Sequence, residues 1–153
     1  MDDSEADGVI TTKMSNGQLV LHGIFEDKNE IGAGGCDLNL QGCLSYMKYW
    51  SMDEVRVHLP CSFYAQSTCL PQLEDARKMC CCPSFVITAP GPWIAVLGTV
   101  LCDAGWVVQP LTDLVNLQFD LYNTSCMLDI TCLFLALRES LKELHAFYQE
   151  IEK

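Results

Sequence analysis

Apolar and polar residues alternate in two short runs near the start of the chain, Val9 to Thr12 and Leu19 to Glu26, both rich in β-branched residues. Between them lies Lys13-Met14-Ser15-Asn16-Gly17-Gln18, and Asn-Gly in that position predicts a hairpin because both residues tolerate positive φ. A polar and glycine-rich stretch follows, Glu26 to Gly35, leading to Asp37 as a helix N-cap. From Leu38 to about Trp50, Leu40, Leu44 and Met47 recur at helical spacing, which predicts a helix that buries that face. After a less regular region come Phe85 to Thr88, Trp93 to Leu101 and Trp106 to Gln109, three strand-like runs punctuated by Pro90-Gly91-Pro92 and Asp103-Ala104-Gly105. These are expected as core strands or a meander. Ile130, Phe134, Leu137, Leu141, Leu144, Tyr148 and Ile151 then predict a long amphipathic C-terminal helix facing the core, with Asn123-Thr124-Ser125 as its cap. Hairpin, helix, strands and helix in that order give a mixed α/β domain.

The chain has 153 residues, half of them hydrophobic and 19% charged, which suits one folded domain and not a disordered polypeptide. Its formal charge of −11 is spread along the chain, so a general basic surface for nucleic acid is excluded. Any phosphate chemistry must rest on a local site. Ten cysteines would suit a secreted disulfide scaffold, but the opening Met1-Asp2-Asp3-Ser4-Glu5 is no export signal. Reduced, mostly core thiols and a cytoplasmic or nuclear location are therefore expected. The uncharged stretch Pro83 to Cys102 is long enough to span a bilayer, yet its Pro-Gly-Pro break and β-branched content favour strands, so no membrane is expected as a partner.

The hairpin places candidate chemistry at one end. Asp7 precedes the first strand and Glu26-Asp27-Lys28 closes the second. Glu26 and Lys28 share a face, while Asp27 points away. Two carboxylates and an amine at one point suit phosphodiester hydrolysis: carboxylate oxygens hold Mg²⁺, the ion acidifies a water, and the lysine orients or deprotonates it. An acidic residue two before a lysine is weak by itself and gains weight from the strand ending in it, the upstream Asp, and the following helix with Gln41 and Tyr46.

An Asp followed by Glu-x-Lys on adjacent strands resembles the restriction-endonuclease-like superfamily. More narrowly, Ala6 to Ile10, Ile24 to Gly32, Gln41 to Trp50, Cys82 to Phe85, Gly91 to Ile94 and Val108 to Asp113 resemble a fungal group in which such a module precedes a protein-kinase-like domain. The resemblance implies a mixed sheet flanked by helices, with Asp7, Glu26 and the backbone carbonyl of Asp27 as metal ligands, Lys28 as catalytic lysine, and Gln41 facing the site. It also implies that residues 1–153 are a single truncated domain lacking the superfamily's N-terminal helix, with 51–72 as an insertion. A nucleic acid or a neighbouring kinase-like domain would be the partner, the former without support from net charge. The chain carries no kinase signature of its own. The competing reading is a catalytically inactive binding or regulatory module of a kinase-like protein. A third is a small interaction protein that oligomerises through residues 130–151.

Other combinations are weaker. His58, Cys61, Cys69 and Cys80-Cys81-Cys82 lack a clean second half-site for zinc. His22 is expected as a partly exposed strand residue and His145 as a boundary residue on the long helix, neither supporting a nucleophilic triad. Gly32-Ala33-Gly34-Gly35 lacks the Lys-Ser/Thr that a phosphate loop needs and reads as a turn.

Overall fold

A computed structural model describes residues 6–14, 17, 19–29, 37–50, 77–118 and 123–151. The readings placed on 51–72, on His58, Cys61 and Cys69, and on Gly32 to Gly35 lie outside the described residues.

Strands β1 (Gly8–Lys13) and β2 (Leu19–Lys28) pair antiparallel as the Asn-Gly signal predicts. Gly17 closes the turn with φ +87° and donates its N–H to the Met14 carbonyl at 3.0 Å. The register slips between Ile10 and Thr11: Ile10 lies opposite Gly23 and Thr11 opposite Leu21, so His22 has no partner across the ladder. This bulge shifts the inward and outward alternation. As a result Leu21 and Ile24, an odd number of residues apart, both enter the core.

Helix α1 (Leu38–Trp50) starts as the sequence indicates, with Asp37 Oδ1 accepting from the Leu40 N–H at 3.0 Å. The next described strand, β3 (Ser84–Pro90), runs parallel to β2, with Glu26 opposite Thr88. Strands β4 (Trp93–Cys102) and β5 (Gly105–Pro110) continue as an antiparallel meander. A short β6 (Val115–Asn116), which the sequence pattern does not announce, pairs with the start of β4. The result is a mixed six-stranded sheet in the order β1-β2-β3-β4-β5, with β6 beside β4. The C-terminal helix α2 (Thr124–Glu150) is capped by Asn123, whose side chain accepts from the Cys126 N–H.

Four expectations about burial are corrected, that for His22 among them. The buried face of α1 is not that of Leu40 and Leu44, which are 55% and 40% exposed, but that of Leu38, Gln41, Gly42, Cys43, Tyr46 and Trp50. This face carries Tyr46 and Trp50 into the core and turns Gln41 and Ser45 to the carboxylate beneath the helix. Strand β5 is an edge and not a core strand, leaving Trp106, Val107 and Val108 exposed. Along α2 only Ile130 and Tyr148 are buried, Leu137, Leu141 and Leu144 are half-buried, and Phe134 is 45% exposed. The helix touches the sheet mainly through β1 and β2, so its stripe is used only in part.

The core joins Val20, Leu21, Ile24, Tyr46, Trp50, Val86, Leu97 and Tyr148. His22 is buried, contrary to expectation, because the bulge turns it toward a polar bridge. The Thr12 hydroxyl lies 3.0 Å from His22 Nδ1 and 2.8 Å from His145 Nδ1, tying α2 to the hairpin. Two tyrosines fix the approach to β3, Tyr46 donating to the Cys82 carbonyl and Tyr148 to that of Pro83. No helix among the described residues is long and apolar enough to cross a membrane.

Candidate functional site

The end of β2 carries Glu26 into the sheet interior, where it is fully buried beneath α1. A buried carboxylate needs donors for both oxygens. Helix α1 supplies them: Gln41 Nε2 donates to Oε2 at 3.0 Å and the Ser45 hydroxyl to Oε1 at 2.9 Å. Gln41 and Ser45 are one helical turn apart and therefore share a face. Next to Glu26 across the parallel ladder, Thr88 donates its hydroxyl proton to Asn39 Oδ1 at 2.8 Å, a third polar clasp between α1 and the sheet.

Gly42 permits this proximity. A Cβ at that position would lie 2.4 Å from Cγ1 of Val86 and 3.4 Å from Cγ of Glu26, so any larger residue would lift the helix.

Asp7 is exposed just before β1, and its Oδ2 accepts the backbone N–H of Asp27 at 2.7 Å, which fixes the start of β1 against the end of β2. The Asp27 side chain is exposed, as alternation predicts. Lys28 is half-buried, and its carbonyl accepts from the Gly91 N–H, anchoring the end of β2 to the turn after β3. Asp7, Glu26, Lys28 and Gln41 are thus brought together. Sequence reasoning missed Ser45, Asn39 and Thr88. The signal for Ser45 was present: Gln41 and Ser45, one turn apart and flanking Gly42, mark a polar helix face that can approach a strand closely.

Burial raises the Glu26 carboxyl above its ordinary value of 4.5; the Asp7 charge pushes the same way, while Ser45, Lys28 and Gln41 pull it down. Between 4.5 and that raised value the folded chain binds more protons than the unfolded one. Glu26 therefore contributes stability as pH falls through this window and costs stability above it. His22 acts oppositely: burial, aided by the His145 charge, lowers it from 6.5, so acidification below 6.5 favours the unfolded chain. The comparison that isolates Glu26 is Glu26→Gln against the native chain in urea unfolding at pH 7 and pH 5. The variant should be at least as stable at pH 7, and its advantage should shrink on acidification. A difference independent of pH would mean that Glu26 ionises as in water.

Asp7 and Glu26 offer oxygens, the donor type that hard divalent cations prefer. Each carboxylate oxygen has two lone-pair positions, and Gln41 and Ser45 take one on each oxygen of Glu26, so acceptor capacity remains. A cation would also turn the repulsion between the two carboxylates into attraction. Asp7 and the fully buried Glu26 are the oxygen donors at this end of the hairpin, and no cluster of three or more His, Cys, Asp or Glu side chains suited to a metal occurs among the described residues. Comparison with protein-family models, with curated proteins and with solved structures gives no match for this chain.

Proposed function

We propose that the end of the β1–β2 hairpin is a Mg²⁺-dependent phosphodiester hydrolysis site on a restriction-endonuclease-like version of this mixed sheet. The observation that carries the reading is the meeting of Asp7 with the Glu26-Asp27-Lys28 strand end through the 2.7 Å bond from Asp27 N–H to Asp7 Oδ2. It puts the aspartate, one residue ahead of β1, beside the Glu-x-Lys end of the neighbouring β2, an arrangement that resembles that superfamily's motif.

In this reading Asp7 and Glu26 would hold the cation, with the Asp27 backbone carbonyl as a further oxygen donor. Gln41 and Ser45 keep the Glu26 carboxylate aimed. Lys28, on the same strand face as Glu26, orients the attacking water and manages its proton. The cation, when bound, supplies Lewis acidity and offsets the negative charge of the phosphate. Because the chain carries −11, a nucleic acid would be gripped at this site and not by a broad surface.

A second reading draws on the full burial of Glu26: a module that keeps the fold, has lost catalysis, and serves as a binding or regulatory partner of a kinase-like protein. Calorimetric titration of Mg²⁺ and Mn²⁺ separates the two. The catalytic reading expects saturable binding that is lost in Asp7→Ala and Glu26→Ala, with metal-dependent cleavage of single-stranded or duplex nucleic acid. A folded chain that binds no metal and cleaves neither substrate overturns it.

A further inference from the structure

At the opposite end of β3 from the Glu26 site, Cys80, Cys81 and Cys82 precede the strand in a tightly held segment. Three successive carbonyls are fastened: that of Cys81 accepts from the Leu101 N–H, that of Cys82 from the Tyr46 hydroxyl, and that of Pro83 from the Tyr148 hydroxyl. Within this clamp two thiols face one another's backbone. The Cys82 N–H donates to Cys80 Sγ at 3.3 Å, and the Cys82 thiol donates to the Cys80 carbonyl at 3.7 Å. Cys82 has φ +48°, the one non-glycine residue with positive φ among the described residues. A fully buried side chain held in that sparsely populated region points to a local constraint that the surroundings sustain.

From this geometry we propose that Cys80 and Cys82 form a dithiol redox site, in which Cys80 attacks a small-molecule disulfide and Cys82 resolves the adduct into a Cys80–Cys82 disulfide. Accessibility divides the roles, since Cys80 is half-exposed and Cys82 is wholly buried. The Cys80 thiolate displaces one half of the small disulfide, forming a mixed disulfide and releasing a thiolate that takes up the proton Cys80 gave up. Cys82, losing its proton in turn, attacks Cys80 Sγ and expels the second thiol. Two cysteine thiols are oxidised by two electrons, and the small disulfide is reduced to two thiols.

The electrostatics agree with this division. Hydrogen bonding from Cys82 lowers the Cys80 thiol to about 7 against the opposing effect of burial, whereas Cys82 itself is raised by Cys80 and by burial. A thiol that is substantially more ionised at neutral pH than an ordinary cysteine is the better attacking group, although lower basicity costs some nucleophilicity.

The test uses the full reduced chain and oxidised glutathione at pH 7, with intact-mass and peptide mapping. The expected product is a Cys80–Cys82 disulfide, retained in Cys81→Ser, while Cys82→Ser stops at a glutathione adduct on Cys80. Should Cys82→Ser fail to fold, iodoacetamide rates on the native chain give an independent reading. Cys80 should react faster at pH 7 than the exposed Cys102, because the Cys82 N–H hydrogen bond to Cys80 Sγ stabilises its thiolate. Adducts spread evenly over Cys80, Cys81 and Cys102, a disulfide that needs Cys81, or equal alkylation rates at Cys80 and Cys102 would each overturn the assignment.

Discussion

Replacing Lys28 by alanine should lower metal-dependent phosphodiester cleavage by about 100-fold or more, the usual effect of removing a positioned proton-transfer group, while leaving Mg²⁺ binding intact. The separation follows from the site's charges. Lys28 sits two residues beyond Glu26 on the same strand, and its charge favours the ionised Glu26 carboxylate without being a ligand. Without the ammonium, the cation meets less positive charge, so affinity should hold or improve in calorimetry. Lys28→Arg refines the assignment, because arginine keeps the charge but does not give up its proton near neutral pH. If the amine handles a proton, the Lys28→Arg variant should stay near the activity of Lys28→Ala; recovery to within a few-fold of the native rate would show that charge alone suffices. Loss of metal binding in Lys28→Ala would contradict its placement outside the ligand set.

A methyl group on α1 should have the largest effect on stability. Gly42→Ala puts a Cβ 2.4 Å from Val86 Cγ1, far inside van der Waals contact with a β-branched side chain that has little room to turn. The helix must lift, and lifting it draws Gln41 and Ser45 away from the buried Glu26 carboxylate. Overpacking costs about 1–3 kcal/mol, and unsatisfied buried groups add about as much, whereas alanine's better helix propensity returns only about 1 kcal/mol. A net loss of about 3 kcal/mol is expected in urea unfolding. Val86→Ala removes the opposing methyl group, so the double variant should be more stable than the two single losses predict. Strict additivity would show that the close approach at Gly42 does not determine the position of α1. Because the same displacement unclasps Glu26, Gly42→Ala should also weaken any Mg²⁺ binding, coupling the fold to the proposed site.

The hairpin was legible because its determinants are local. Alternation in Val9 to Thr12 and Leu19 to Glu26 and the turn chemistry around Gly17 need no distant partner. The same holds for the meander of β3, β4 and β5, whose turns carry Gly91 and Gly105 at positive φ, and for the caps at Asp37 and Asn123. The approach of Asp7 to the end of β2 follows from that hairpin geometry, so most of the candidate site could be assembled on paper.

Burial could not be read so directly. Leu40, Leu44 and Met47 have the spacing of a core stripe, yet of the three only Met47 packs against the core, and α1 turns Gln41, Gly42 and Tyr46 inward. Periodicity records which residues could share a face; the partner surface decides which face is used. Here that surface takes Tyr46 and Trp50 into the core and finds donors for a buried carboxylate, while Leu40 and Leu44 remain partly wet. In the same way, the bulge opposite Ile10 turns His22 into the interior, and the edge position of β5 leaves Trp106, Val107 and Val108 exposed despite their strand-like pattern.

The sequence by itself determined the local elements, their caps and turns, and the convergence of Asp7 with Glu26 and Lys28, because these depend on backbone propensity and on contacts across one short hairpin. Only the tertiary structure decided that Glu26 is buried, that Ser45 and Gln41 clasp it, that Gly42 sets the height of α1 above Val86, and that the carbonyls of Cys81, Cys82 and Pro83 are held by Leu101, Tyr46 and Tyr148. Those features arise where segments distant in the chain meet, and a buried polar group's demand for partners is met by whichever segment packs against it.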